Sequence, residues 1–272
     1  MPSSSPALHP KPAAEHFSRP LVPDAWVEIM RYLDAKTLMN LAEAMPELKG
    51  LVFSPTILRS VTFEGDIDGN LIQRFLQEAT RQLPVVEDHL TENVLLVSVI
   101  QELRFASCPT LSSEAILHSA SRCFNLRELY CVKCVVEPAQ LFVLLSLELR
   151  SVTKLQWSLY DDHRYKARLH GEATMLIRDV PALKRPLVEE MYVEVAGKCT
   201  TVLMLYTFVS RCQCLRHLHV HSVMPEQSGV IGAQHRFGGV DPNISYNTMR
   251  LKHRLKHLET WTFTNQVQFE DS

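Results

Sequence analysis

Length, composition and charge limit the classes of protein to which this chain belongs. It has 272 residues, with 28 Lys and Arg against 30 Asp and Glu, and a net charge of −2. That balance gives no electrostatic reason to expect nucleic acid or an anionic membrane surface as the main partner. The longest apolar runs, LFVLLSLEL and TTVLMLYTFV, are about half of the roughly 20 residues that a membrane-spanning helix needs. We therefore expect no membrane segment.

The cysteines and the N-terminal segment indicate where such a protein works. Seven cysteines, an odd number, are spread along the chain, and the N-terminus lacks the basic-then-apolar layout of a secretory signal. These features predict reduced thiols and a cytoplasmic and/or nuclear protein. Residues 1–20 contain five prolines among Ser and Ala, with little apolar material to bury, so we expect a disordered leader there.

Residues 21–63 are predicted to form a small helical unit. Two apolar stripes at helical spacing indicate two short helices. The stripes consist of Trp26, Ile29, Met30 and Leu33, followed by Leu38, Leu41, Ala42 and Met45. Pro23 sets the start of the first helix, and Pro46 ends or bends the second. Residues 59–63 then lead into a first strand.

A pattern of the form apolar-x-x-apolar-x-apolar recurs through the rest of the chain. Its copies start at positions 100, 126, 152, 188, 215 and 255, at intervals of 26, 26, 36, 27 and 40 residues. Two copies lie within similar segments, SRCFNLRELYC from residue 121 and SRCQCLRHLHV from residue 210. A period near 26 is typical of arrays in which each unit is one short strand plus one helix.

The connecting segments carry signals for helices and for one long loop. Ser112 or Ser113 can cap a helix start, Glu114 suits its positive end, and Pro138 stands at a first helical position. Ile72, Phe75, Leu76 and Ala79 also have helical spacing, so residues 64–99 are predicted to be a degenerate first repeat. Residues 225–247, with four glycines, are predicted to be a flexible insertion.

These elements predict an α/β fold. A small N-terminal helical unit is followed, over residues 64–272, by an irregular repeat solenoid with short parallel strands. The strands come at the pattern starts given above, and each unit stacks on its neighbours to bury a continuous core.

Paired cysteines raise the question of a zinc site. Cys131-x-x-Cys134 and Cys212-x-Cys214 have spacings that metal ligands use. Cys131 falls on an inward strand position and Cys134 on the turn that follows, which favours thiols packed in the core. We expect no cofactor and no bound metal.

A histidine trio raises a second question. His217, His219 and His221 alternate along one strand and so share one face, opposite Leu218 and Val220. The alternatives are a metal site, a patch that contacts a ligand, and a solvated polar face. Alternate Cβ atoms on a strand lie about 6 to 7 Å apart, which is awkward for a single ion.

We expect no enzymatic activity. Asp161, Asp162 and His163 place two carboxylates beside an imidazole, but catalysis would need these groups to converge in a pocket. Adjacent residues on a polar connector usually diverge. No nucleophile-elbow, zinc-protease or phosphate-loop motif occurs in the sequence.

Two stretches resemble known families. LVPDAWVEIMRYLDAKTL, from residue 21, resembles an F-box, which has leucine-proline, an amphipathic helix ending in tyrosine-leucine, an aspartate-containing turn and a second helix. Ala44 and Met45 stand where that family often has valine and cysteine. LRFASCPTLSSEAILHSASRCFNLRELYCVKC, from residue 103, resembles the cysteine-containing subclass of leucine-rich repeats.

The order of these two resemblances implies a function. F-box proteins with such repeats are substrate receptors of SCF-type ubiquitin ligases, in which the F-box binds a Skp-family adaptor held by a cullin. Apolar residues of the helices would then contact the adaptor as a helix lies in a groove. The candidates are Leu21, Pro23, Trp26, Ile29, Met30, Leu33, Leu38 and Leu41.

The repeat array would hold an unknown protein substrate on strand residues that face away from the core. The candidates are Arg104, Tyr130, Gln156, Tyr192, His217, His219 and Trp261. The alternative is a leucine-rich-repeat binding scaffold without a ligase role, whose N-terminal helices act as a cap. An adaptor-binding unit leaves an apolar surface open, whereas a cap buries it on Phe63 and the first repeats.

Overall fold

The computed structural model describes residues 22–82, 98–160, 185–196, 199–225 and 255–268. Four features of the sequence lie outside these residues: the leader at 1–20, Leu21, the three residues 161–163, and residues 226–247 of the predicted insertion. Within the described ranges, no helix is long and apolar enough to cross a membrane.

Seven parallel strands form one sheet, and their order in the sheet is their order in the chain. Each strand therefore pairs only with the strand before it and the strand after it. The bounds are β1 Ser60–Glu64, β2 Glu102–Ala106, β3 Glu128–Val132, β4 Lys154–Tyr160, β5 Glu190–Ala196, β6 His217–Pro225 and β7 Thr260–Gln268. The fold is thus mixed α/β with a single parallel sheet, as predicted.

The described part of the chain contains eight α-helices. They are α1 Pro23–Met30, α2 Ala35–Ala44, α3 Lys49–Val52, α4 Pro55–Leu58, α5 Gly69–Gln82, α6 Ser113–Ser121, α7 Pro138–Leu147 and α8 Cys199–Arg211. Asp34 caps α2 by accepting the Thr37 N–H at 2.9 Å, and Ser112 caps α6 by accepting the Ala115 N–H at 3.2 Å. Proline is the first residue of α1, α4 and α7. An N–H at this position would have no acceptor within the helix, so proline, which has no N–H, loses no hydrogen bond there.

Five strands begin two residues after the predicted pattern starts. The patterns at 100, 126, 152, 188 and 215 precede strands that begin at 102, 128, 154, 190 and 217. The sixth start is wrong, since β7 begins at Thr260, five residues after Leu255.

The turn before each strand explains this error. The Leu258 N–H donates to the Leu255 carbonyl at 3.3 Å, as the Leu215 N–H donates to the Cys212 carbonyl at 3.2 Å. Leu255 therefore takes the place of Cys212, whose carbonyl accepts in the turn before a strand, and not the place of Leu215. The pattern copy of the last strand is LETWTF from residue 258.

The core lies between one face of the sheet and the helices. Alternate side chains of a strand point to opposite faces, so inward residues of neighbouring strands form rows. One inward row consists of Val61, Leu103, Leu129, Leu155, Met191, Leu218 and Trp261. The first six are buried, and Trp261 is partly buried against the same core.

Aromatic contacts join helices to this face of the sheet. Phe63 of β1 has its ring centroid 5.4 Å from that of Phe105 in β2 and 5.6 Å from that of Phe75 in α5. Further along, Phe208 of α8 packs on Trp157 of β4 at 4.9 Å. Edge-to-face and offset pairs at such distances stabilise a core beyond the area that they bury.

The N-terminal helices lie against the β1 end of the sheet. Helix α2 packs on β1 and α5, and α1 packs on α3 and α4. Leu38, Met39 and Ala42 of α2 are buried. Apolar packing on one side of α2 thus covers the first strand, which would otherwise be an open sheet edge.

Loss of an inward aromatic ring should destabilise the fold strongly. Phe105→Ala removes a fully buried ring between β1 and β2, and we expect the free energy of unfolding to fall by about 3–5 kcal/mol. Urea denaturation followed by circular dichroism measures this change. Phe124→Ala removes a ring that is 44% exposed and should cost under about 1 kcal/mol. Equal losses for the two variants would contradict the placement of the core.

Candidate interaction surfaces

The side of the sheet opposite the core, which we call the open face, carries polar side chains in rows. The first row is Ser60, Glu102, Glu128, Lys154, Glu190, His217 and Thr260. The second row is Thr62, Arg104, Tyr130, Gln156, Tyr192, His219 and Thr262. Six of the seven predicted substrate contacts belong to these two rows.

Trp261 is the exception, and the prediction that it lies on the open face is wrong. It pairs with Leu218 in the inward row and packs against the core. The misplaced start at Leu255 caused the error, because a shift of register by an odd number of residues exchanges the two faces of a strand. Thr260 and Thr262 occupy the open face of β7 instead.

Charged and aromatic side chains form a connected group on β2, β3 and β4. The Arg104 guanidinium lies 4.4 Å from the ring centroid of Tyr130, and the Lys154 ammonium lies 5.8 Å from it. The Tyr130 hydroxyl donates to the Glu128 carboxylate, and Lys154 Nζ lies 3.6 Å from the same carboxylate. Tyr130 is only 6% exposed, because these neighbours cover its ring.

This group also shifts two acid–base equilibria. Burial, followed by the hydrogen bond to Glu128, raises the pKa of the Tyr130 hydroxyl. The hydrogen bond with Tyr130 raises the pKa of the Lys154 ammonium, and the carboxylates of Glu128 and Glu190 add to the effect. Tyr130 therefore stays a neutral donor and Lys154 stays a cation at neutral pH.

The histidine trio forms a second ordered group on β6 and β7. His217 Nδ1 and His221 Nδ1 lie 2.8 Å from the hydroxyl oxygens of Thr260 and Thr264, and His219 Nδ1 is hydrogen-bonded to Thr262 in the same way. Each imidazole is thus oriented by a threonine of the next strand.

The shared face of the three histidines is confirmed. Leu218 and Val220, which alternate with them, are buried. His219 also stacks on Tyr192 of β5, with centroids 4.5 Å apart and rings inclined by 10°. Among the described residues, no group of three or more His, Cys, Asp or Glu is arranged to hold a metal ion. Of the three alternatives for the trio, the patch that contacts a ligand and the solvated polar face both stay predictions.

Five of the six cysteines that the structure describes pack in the core as predicted, whereas Cys214 is exposed and corrects the prediction for that residue. Cys108, Cys123, Cys131, Cys134 and Cys212 are buried. Burial raises the pKa of the Cys123 thiol to about 12, and burial raises those of Cys131 and Cys212 as well. The neighbouring Cys134 and burial together raise the pKa of Cys108. The four thiols with a raised pKa stay protonated at neutral pH, so they act as small apolar side chains, whereas the hydrogen bond with Cys108 lowers the pKa of Cys134.

A second surface lies on α1 at the N-terminal end. Val22, Ile29 and Tyr32 are 65%, 43% and 87% exposed, and Pro23 is exposed beside them. We call these four residues the α1 apolar patch. Val22 and Tyr32 were not among the predicted contacts, although Tyr32 follows Ile29 at helical spacing, which could have identified it.

The structure corrects the predicted adaptor contacts. Met30 and Leu38 are 0% and 3% exposed and belong to the protein's own core, so they form no part of an open surface. Trp26, Leu33 and Leu41 are partly buried against that core. Pro23 and Ile29 are the members of the predicted set that the structure leaves exposed.

Comparison with known proteins adds no family assignment. No protein-family model matches this chain, and no curated protein sequence matches it.

In the folded protein, one of the six cysteines that the structure describes should be alkylated much faster than the other five. Cys214 is exposed, and we expect iodoacetamide at pH 7.5 to modify it at least tenfold faster than the five buried cysteines. Peptide mapping by mass spectrometry at several time points measures the rates. Rapid modification of Cys131 in folded protein would contradict the packing described here.

The buried thiols should also make stability fall at alkaline pH. The pKa of a cysteine in an unfolded chain is about 8.5, whereas burial raises the pKa of Cys123 to about 12 in the folded protein. The unfolded state therefore releases the thiol proton at a lower pH than the folded state. Stability then falls as pH rises between those two values. Cys123→Ala should reduce the slope by up to about 1.4 kcal/mol per pH unit, measured by urea denaturation from pH 8 to 10. Phe124→Ala, which removes a 44% exposed side chain without an ionisable group, is the control and should leave the slope unchanged.

Proposed function

We propose that the protein is the substrate-recognition subunit of an SCF-type ubiquitin ligase. Its N-terminal helices act as an F-box that binds a Skp-family adaptor and, through it, a cullin. The strands and helices from residue 64 onward act as a leucine-rich-repeat solenoid that binds a protein substrate. In this proposal the chain has no catalytic activity of its own, and it works in the cytoplasm and/or the nucleus.

The α1 apolar patch is the observation that carries the proposal. Val22, Ile29 and Tyr32 expose large apolar side chains on or beside a helix whose other side is anchored in the core by Met30. Large apolar side chains left exposed along one helix are typical of a surface that a partner covers. Docking of such a helix face into a groove would bury these side chains together.

The order of the strands supports the repeat part of the proposal. Seven parallel strands follow one another in chain order, and four of the connections contain a described helix, namely α5, α6, α7 and α8. Units that contact only their neighbours are typical of solenoids. The turn from Cys123 to Leu126 recurs from Cys212 to Leu215, with N–H to carbonyl distances of 3.0 and 3.2 Å.

A binding scaffold without a ligase role is the second candidate function. The packing of α2 on β1 and α5 favours it, since a cap must cover the open end of a repeat array. Leu38 is buried in this packing. The two candidates differ in whether α1 binds a partner.

Co-expression with a Skp-family adaptor, followed by size-exclusion chromatography, tests the proposal. We expect the wild type to co-elute with the adaptor. Ile29→Asp and Tyr32→Asp should each weaken binding by about 2 kcal/mol or more, which is roughly 30-fold, because a charge replaces an apolar contact at the interface centre.

The matched control is Phe124→Asp, which places the same charge on an exposed apolar residue far along the chain from α1. It should co-elute like the wild type. Circular dichroism on each variant separates lost binding from lost folding. If the folded wild type elutes without the adaptor, the ligase proposal is wrong and the scaffold function takes its place.

A further inference from the structure

The open face concentrates negative charge. Its described strand residues include five carboxylates, Glu64, Glu102, Glu128, Glu190 and Glu194, and two cations, Arg104 and Lys154. With neutral histidines their formal charge is −3, whereas the whole chain carries −2, so the rest of the protein is at +1. A partner that lies along these strands therefore meets an acidic surface on a nearly neutral protein.

Both cations of the open face lie near the ring of one tyrosine, Tyr130, and each also pairs with a carboxylate of its own or a neighbouring strand. Arg104, on the strand before Tyr130, places its guanidinium over the ring, and Lys154, on the strand after it, reaches the Glu128 carboxylate. A tyrosine face and a carboxylate two residues earlier on the same strand thus hold cationic side chains in this protein.

Strand β5 repeats this arrangement without the covering cation. Glu190 and Tyr192 stand in the rows of Glu128 and Tyr130, two strands along. The residue that corresponds to Arg104, on the strand before Tyr192, is the neutral Gln156. Within the described residues, Tyr192 has no cation–π contact; its ring stacks on His219.

The carboxylate of this second arrangement is held loosely. Glu190 lies 4.0 Å from Lys154, and its side chain is 41% exposed. An exposed ion pair at that distance contributes little, so it opposes the binding of another cation only weakly.

We propose that Tyr192, Glu190 and Gln156 form a subsite for an arginine or lysine side chain of the substrate. The cation lies over Tyr192 as Arg104 lies over Tyr130, and it pairs with the Glu190 carboxylate. The occupant is a basic, extended segment of a protein substrate, so this inference rests on the proposed function and names the substrate class.

Charge favours such a segment over other partners. The strands would repel nucleic acid and acidic or phosphorylated peptides, because carboxylates outnumber cations there. Arg59, Arg127 and Arg216 lie one residue before β1, β3 and β6, at the margin of the sheet, and Glu189 and Glu259 share that margin. Cations outnumber carboxylates at this margin, so the acidic surface is confined to the strands, on which the proposed subsite lies.

Fluorescence anisotropy on the purified full-length chain tests the subsite. The probes are a fluorescein-labelled decapeptide of alternating Arg and Ser and its counterpart with Glu in place of Arg, at about 150 mM ionic strength. We expect the basic peptide to bind at least tenfold more tightly than the acidic one. Glu190→Gln should weaken binding about threefold to tenfold.

Gln156→Arg is the sharper variant. It places a guanidinium before Tyr192, in the position that Arg104 holds before Tyr130, so the chain fills its own subsite and we expect binding to weaken about tenfold. Gln73→Arg adds the same charge at an exposed position of α5 and should leave binding within about twofold. Equal losses for the two arginine variants would mean that only net charge matters, and the subsite would be wrong.

Two further results would overturn the inference. One is equal affinity for the basic and acidic peptides. The other is basic-peptide binding that Glu190→Gln and Gln156→Arg leave unchanged. Co-elution with the adaptor is measured separately, so peptide binding can fail while the ligase proposal stands. Conversely, a chain that binds the basic peptide but not the adaptor keeps the subsite and loses the ligase function.

Discussion

The alternation of side chains across seven strands in one register is the constraint on which the structure depends. The inward row from Val61 to Leu218 must be buried, and this requirement fixes the register of every strand pair. Because parallel neighbours are aligned without slippage, the outward residues also fall into rows. The open face is therefore a consequence of the core: residues 26 to 43 positions apart in the chain become neighbours on one surface.

Sequence spacing predicted most of this architecture, and its failure at β7 has a physical cause. Leu255 and Leu258 are three residues apart, so each can begin the pattern, but the copy from Leu255 ends on the polar Thr260 and the copy from Leu258 continues with Trp261 and Phe263. The turn between the two leucines, with its N–H to carbonyl bond, shows that the copy from Leu258 forms the strand. The error moved Trp261 to the wrong face, whereas Tyr130 and Tyr192 were placed correctly.

The helical unit shows a different limit of prediction. Apolar residues at helical spacing identify one apolar side of a helix. A helix that packs on its own core and also binds a partner has two apolar sides, and the spacing does not distinguish them. Met30 and Ile29 are adjacent in the sequence, yet one is 0% and the other 43% exposed. A rotation of 100° per residue separates them, and the neighbours α3 and α4 decide which one is covered. Tertiary packing alone could sort the predicted adaptor contacts.

The two halves of the open face differ in whether a cation of the protein itself lies over the tyrosine ring. On β2 to β4, Arg104 and Lys154 cover Tyr130, Arg104 pairs with Glu102, and Lys154 pairs with Glu128. On β5 to β7 the corresponding aromatic ring faces Gln156 on one side and an imidazole on the other. Among the described residues no cation lies over the Tyr192 ring, so this ring keeps interaction energy for a ligand. Recognition on this face should therefore centre on its C-terminal half, away from the helices that cover β1.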